Sequence, residues 1–203
     1  NALLHHDPEL ARLPRAGIVH RLDKDTSGLL VVARSPAAHK SLVEQLQSRQ
    51  VKREYRAVVC GLPTAGGSVD QPIGRHPLHR TRMAVVASGK PAVTHYRLVE
   101  RFRAHTLLRV HLETGRTHQI RVHMAYIRYP LLGDPVYGGR LRIPAGASPA
   151  LQSLLRGFHR QALHAIRLGL VHPASGEWVE WERGVPEDMQ TLRDGLHQDC
   201  HEN

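Results

Sequence analysis

The hydrophobic period of this chain changes at Gly115, and that change restricts the fold more than any other feature. Before Gly115, residues 51–60 and 105–113 alternate apolar and polar side chains, the latter through Leu108, Val110 and Leu112. Alternation sends successive side chains to opposite faces of a strand. After Gly115, Ile120, Met124 and Ile127 recur at helical spacing, with Thr117 the predicted N-cap. Other segments follow the same two rules. Residues 28–34 form a short apolar run bounded by Gly28 and Pro36, predicted to be a buried strand, and residues 94–100 read as a further strand. Residues 37–49 carry Leu42, Val43 and Leu46 on one helix face, and Gly61-Leu62-Pro63 ends the strand before it. Residues 66–90 are turn-rich and basic, a hairpin-like excursion from the core. After a Gly/Pro loop over 138–147, Ser148-Pro149 opens a helix with Leu151, Leu154, Leu155 and Phe158 inside. Strands are predicted over 162–172 and 178–183. A last helix starts at Pro186, with Glu187 and Asp188 in its positive first turn. Strands mixed with helices, without a regular strand–helix–strand rhythm, predict one α+β domain on a mixed, mainly antiparallel sheet with flanking helices.

Charge narrows the partner. The 203 residues hold 28 Lys+Arg against 18 Asp+Glu, a formal net charge of +10. Such an excess points to a polyanion, most simply nucleic acid. Lys occurs only at positions 24, 40, 52 and 90, so Arg supplies the rest. The Arg fork pairs bidentately with phosphate and stacks on bases; biased genomic composition would also raise the Arg/Lys ratio, but not the excess itself. Cys60 and Cys200 lie far apart with no CxxC partner, which predicts a reduced, cytoplasmic compartment. The longest apolar run, Leu29 to Ala33, is far short of the ~20 residues of a membrane span. The 16 His are scattered, none in an HExxH or a zinc-spaced pair, so no metal site is predicted.

Three stretches concentrate groups able to do chemistry. The densest is His20-Arg21-Leu22-Asp23-Lys24-Asp25-Thr26-Ser27-Gly28. Its carboxylates, bases and hydroxyls are costly to desolvate unless paired, so they belong to a cleft or to a polar turn in which Asp25 or Thr26 bonds backbone amides. A kinase catalytic loop places His-Arg-Asp consecutively. Here Leu22 intervenes, and neither a Gly-rich phosphate loop nor a Asp-Phe-Gly follows. The second stretch is Glu113 to Met124, with Arg116, His118, Gln119, Arg121 and His123 crowding the first turns of one helix. A helix N-terminus attracts anions; a solvated basic face is the plainer account. Arg121 lies on a different face from Ile120, aimed along the sheet edge toward a buried carboxylate. The third is Arg53-Glu54-Tyr55-Arg56, where a lone strand Tyr is ordinarily a core or cross-strand packer.

Taken together, His20-Arg21-Leu22-Asp23 with Thr26-Ser27-Gly28-Leu29 resembles the signature of the RluA family of pseudouridine synthases. Arg53-Glu54-Tyr55, then Gly115 through His123, then Leu163-His164-Ala165 with Leu168 through Pro173, resemble that family's other motifs in the expected order. The resemblance implies a mixed, mainly antiparallel sheet with flanking helices. It also implies an isomerase that needs no metal or cofactor, breaks the N1–C1′ bond of uridine and rejoins the base through C5. Asp23 matches the essential aspartate, whose carboxylate must be ionised to act as a nucleophile or to stabilise charge at the sugar. Arg121 matches its basic partner. Tyr55 matches the ring against the target base, its hydroxyl a candidate for removing the C5 proton. Arg21 matches the side chain that fills the gap left by a flipped nucleotide, and Leu168 an apolar wall of the pocket. His20, Thr26, Arg116, His118 and Gln119 stand in the same motifs as substrate-binding candidates. Arg75, Arg80 and Arg82 stand in a loop that touches substrate in relatives. The segments Arg75-His76-Pro77 and Gly133 to Gly139 are most similar to the subgroup acting on large-subunit ribosomal RNA, which implies that RNA, free or within assembling particles, as the partner; a monomer is the default expectation. The alternatives are a transfer-RNA-directed relative and a non-catalytic ribosome-assembly module. The family's early Lys-Pro strand is missing, and the chain opens on Asn1 rather than Met. Residues 1–203 therefore read as an N-terminally truncated catalytic domain, with an S4-type RNA-binding domain expected upstream.

Overall fold

The computed structural model describes residues 2–202. Helix α1 (Ala2–His6) and two 3-10 turns lead into strand β1 (Ser27–Gly28). Helix α2 (Pro36–Gln47) is capped by Ser35, whose hydroxyl accepts from the Ala38 N–H at 3.1 Å. There follow β2 (Lys52–Cys60), β3 (Gly67–Asp70), β4 (Ile73–Arg75), β5 (Met83–Val85), β6 (Val93–Arg101) and β7 (His105–Leu112). Helices α3 (Gln119–Tyr126) and α4 (Pro149–Gly157), strands β8 (Leu163–Val171) and β9 (Trp178–Glu182), and helix α5 (Glu187–Glu202) complete the chain.

Seven strands form one sheet in the order β1-β8-β2-β7-β6-β3, with β9 also paired to β8, while β4 and β5 make a separate hairpin. Only β1–β8 is parallel, so the sheet is mixed and mainly antiparallel, as the sequence predicts. Strand β2 sits at its centre, and its alternation divides the molecule. Tyr55, Ala57 and Val59 face the front, where Ile120 and Met124 of α3 pack on them. Val58 and Cys60 face the back, under Leu151 and Leu155 of α4 and Leu192 and Leu196 of α5. Each fully buried Leu there contributes about 1.5–3 kcal/mol of apolar transfer. The β2–β8 register shifts between Glu54 and Tyr55, leaving Ile166 of β8 without a partner on β2, the kind of bulge that re-aims a side chain.

Three expectations change. The strand over 28–34 shrinks to β1, and Leu30 is 39% exposed. The physical reason is competition for one edge: β1 holds β8 only at His164 and Ala165, and β9 takes that edge from Arg167 onward. Thr117 does not cap α3; His118 does, at φ 56°, without a side-chain bond. Gln119 satisfies the helix entrance instead, accepting from the Arg116 N–H at 2.9 Å. Finally, only β4 and β5 leave the sheet as a hairpin, because β3 pairs with β6.

Candidate active site

The β1 approach is built by a closed loop. His20 Nε2 accepts from the Val31 N–H at 3.0 Å. The Thr26 N–H donates to the Asp23 carbonyl at 3.0 Å, with Asp25 left-handed at φ 67°. Gln161 locks this turn from β8's approach, donating to the Lys24 carbonyl at 2.6 Å and to Thr26 Oγ1 at 2.9 Å. Gly28 is required where the loop enters the sheet. Its φ is 113°, and a Cβ there would lie 2.2 Å from the Ala165 carbonyl oxygen. Backbone and neighbours therefore fix where the Asp23 side chain points.

It points into a front-face cleft of about 570 Å³. His20, Arg21, Asp23, Thr26, Tyr55, Arg116 and Gln119 line it, all expected from the sequence. Arg15, Arg49 and Arg53 add positive charge, against Asp23 and Glu113. The Asp23 carboxylate is 13% exposed and, among the described residues, accepts no hydrogen bond. Its charged partner is Arg121 Nη1 at 3.6 Å. A carboxylate held at one charge but not consumed by donors is available to react.

Arg121 is held mainly from behind. Its Nε and Nη2 donate to Asp134 Oδ2 and Oδ1 at 2.7 and 2.9 Å. Burial alone would lower the Arg121 pKa, but the Asp134 bonds and the Asp134 and Asp23 charges outweigh it and raise it. Burial likewise opposes ionisation of Asp134, yet bonds from Arg121 and from the Tyr137 and Val136 amides hold its pKa below the ordinary value. The sequence did place Arg121 toward a buried carboxylate; the nearer one is Asp134, which spacing did not single out. Its signal was the polar Asp between Gly133 and Pro135.

Tyr137 extends this group toward the hairpin. Its ring lies against the Arg121 guanidinium at 5.0 Å. Its hydroxyl accepts from the Met83 N–H of β5 and meets His118 Nδ1, both at 2.9 Å. Burial lowers the His118 pKa, with Asp23 opposing and Arg121 and Arg21 adding to the fall, which favours a neutral ring beside the Tyr137 hydroxyl. His118 is thus a support behind the cleft, not part of its lining.

Tyr55 is buried, and desolvation pushes its pKa up; Arg53 pulls the other way and Asp23 adds to the rise. The phenol therefore stays protonated, which favours contact with a base over proton abstraction. Arg53 beside it is buried and makes no ion pair or hydrogen bond among the described residues. Gly115 makes room for it, since a Cβ there would lie 2.7 Å from Arg53 Nη1. The sequence expectations did not include Arg53. His20 is a structural member: burial first, then Arg53, lowers its pKa to about 4, so it remains neutral. Leu168 is not brought to the cleft; it packs under α2 with Leu42 and Leu170, and Leu163 is the apolar wall instead. Leu168 pairs with Arg53 and is covered by α2, whereas Leu163 pairs with Ala57 on the side of Tyr55 that opens to the cleft. Arg75, Arg80 and Arg82 stand exposed on the β4–β5 hairpin, outside the cleft lining. Among the described residues no group of three metal-ligating side chains forms, and no helix is long and apolar enough to cross a membrane.

The family model described as RNA pseudouridylate synthase matches residues 5–126, which include Asp23, Tyr55 and Arg121. The chain belongs to that family. It is 60% identical over 202 residues to ribosomal large subunit pseudouridine synthase D of Vibrio parahaemolyticus. It is 62% identical over 203 residues to the protein of that name in Escherichia coli. Both alignments take in 100% of this chain and 62% of the relative, so the chain spans less than two thirds of their length. Solved structures of family members share the fold. Human RNA pseudouridylate synthase domain containing 4 superposes with a TM-score of 0.70 at 27% identity, covering 89% of this chain and 75% of that one. Domain containing 1 gives 0.69 at 26%, covering 88% and 72%.

Proposed function

We propose that this chain isomerises uridine to pseudouridine in large-subunit ribosomal RNA, with Asp23 as the reacting carboxylate. One observation carries the reading. Asp23 stands unbonded in a cleft whose other charges are mostly cationic, backed by the Arg121–Asp134 pair. A uridine within a helix hides its glycosidic bond, so the nucleotide must turn out of the stack to reach the cleft. The Tyr55 ring is placed to receive the base, and Arg21 at the mouth to occupy the gap left behind. Arg53, lacking a protein counter-charge, suits a phosphate of the flipped nucleotide. The relatives' name supports ribosomal RNA as substrate. Action on ribosomal RNA accords with a cytoplasmic protein, and a cleft lined by residues of one chain is compatible with a monomer.

The test is tritium release from C5-labelled uridine in a large-subunit ribosomal RNA transcript. Wild type is expected to release tritium. Asp23→Asn is expected to bind the transcript and release none, because the exchange removes the charge and little volume. Release by Asp23→Asn at the wild-type rate would remove Asp23 from the chemistry. Release only from transfer RNA would reassign the substrate.

A further inference from the structure

We infer that the back of the sheet carries a second phosphodiester-binding surface, centred on Arg56, Arg97 and Arg109, which grips RNA away from the cleft. The proposal rests on RNA being the substrate, but not on the chemistry at Asp23.

Strand register creates the surface. Arg97 of β6 lies directly opposite Arg109 of β7, and Arg109 directly opposite Arg56 of β2. In the next row, His95 faces His111, and His111 faces Glu54. All point to the back, because Val58 and Leu107 on the same strands and phase pack under α4 and α5. The helices stop short of this end, leaving an open groove of about 630 Å³ lined by Ser68, His95, Arg97, Arg109 and His111.

Like charges placed directly opposite across strands are unfavourable. Here three guanidiniums adjoin in one row, and Glu54 is the carboxylate among them. Arg56 takes it at 2.6 Å, and Arg109 reaches it at 3.3 Å. Arg97 is exposed and, among the described residues, makes no ion pair or hydrogen bond. The row keeps an excess of two positive charges, three Arg against Glu54. Burial lowers the His111 pKa; Glu54 opposes this, and Arg109, His95 and Arg56 add to the fall, as expected in a positive field.

A polyanion removes this repulsion. Arg forks match phosphate oxygens bidentately. Among the described residues, no Phe, Tyr, Trp or large aliphatic side chain lines the groove, whereas a protein partner's hot spot would need such an anchor. RNA backbone is therefore the better occupant than an acidic protein.

The test uses Arg97→Gln combined with Arg109→Gln in the full chain. Binding to a large-subunit ribosomal RNA transcript is measured across a salt series, beside tritium release at saturating RNA. The double variant is expected to bind several-fold more weakly, with the logarithmic salt slope shallower by about 2, near one unit per lost phosphate contact. Saturated release is expected to be unchanged, and thermal stability equal or higher. An unchanged affinity and slope would overturn the proposal. So would unchanged RNA binding with loss of binding to polyglutamate, which would assign the groove to an acidic protein. Asp23→Asn separates the two ideas: it should keep the full salt slope while losing release. A wild type without release would sink the isomerase reading and leave the slope comparison valid.

Discussion

The two faces of β2 carry arginines in opposite circumstances. On the front, Arg53 is buried in the cleft, and Arg121 of α3 lies behind it, 5% exposed and clamped by Asp134. On the back, Arg97 and Arg109 lie in an open groove. Neighbouring residues supply the contrast: Arg53 and Tyr55 point one way, Glu54 and Arg56 the other. A buried cation is worth positioning only if its counter-charges are fixed, so the front spends Asp134 on geometry. An exposed cation is screened and mobile, and suits steering and backbone contact.

Cutting the front pair should produce the largest effect. Asp134→Ala leaves Arg121 buried beside Asp23 alone, and should cost about 3–5 kcal/mol of stability in urea unfolding. Replacing both partners, Arg121→Met with Asp134→Leu, should recover much of that stability without recovering tritium release. A single variant as stable as wild type would erase the distinction drawn between the faces.

Acid sharpens the same contrast. His20 has its folded pKa depressed to about 4, so the unfolded chain binds its proton first. The stability it contributes is present above the unfolded value near 6.5 and falls as pH drops toward 4. His105, buried beneath α5 and also lowered to about 4, acts in the same direction. His20→Gln should flatten the stability–pH curve between those limits, whereas His111→Gln, on the open back, should change it much less. Equal flattening by both would mean that the back is no more open than the front.

The smallest effect should come from the hairpin support. Tyr137→Phe removes the acceptor for the Met83 N–H and the hydroxyl that bonds His118 Nδ1. A loss of about 1 kcal/mol is expected, with KM for RNA raised and kcat little changed. An unchanged KM would detach the β4–β5 hairpin from substrate binding.

The chain's own pattern determined the mainly antiparallel α+β fold, most element positions and several of the polar side chains that line the cleft. Local period and short motifs encode those directly. The motif around Asp23 carries its own turn, capped by Thr26 and opened by Gly28, so its place at a cleft was readable from consecutive residues. Tertiary structure alone decided the rest. Whether residues 28–34 form a long strand depended on β9 occupying the same edge of β8, more than 130 positions away in the register Ser27 to His164. Leu163 rather than Leu168 walls the cleft because α2 packs over Leu168. Asp134 became Arg121's principal partner, and Arg97 came to adjoin Arg109 and Arg56, only through packing and strand register. Periodicity names the face a residue takes; it does not name the neighbour across it, and electrostatic function depends on that neighbour.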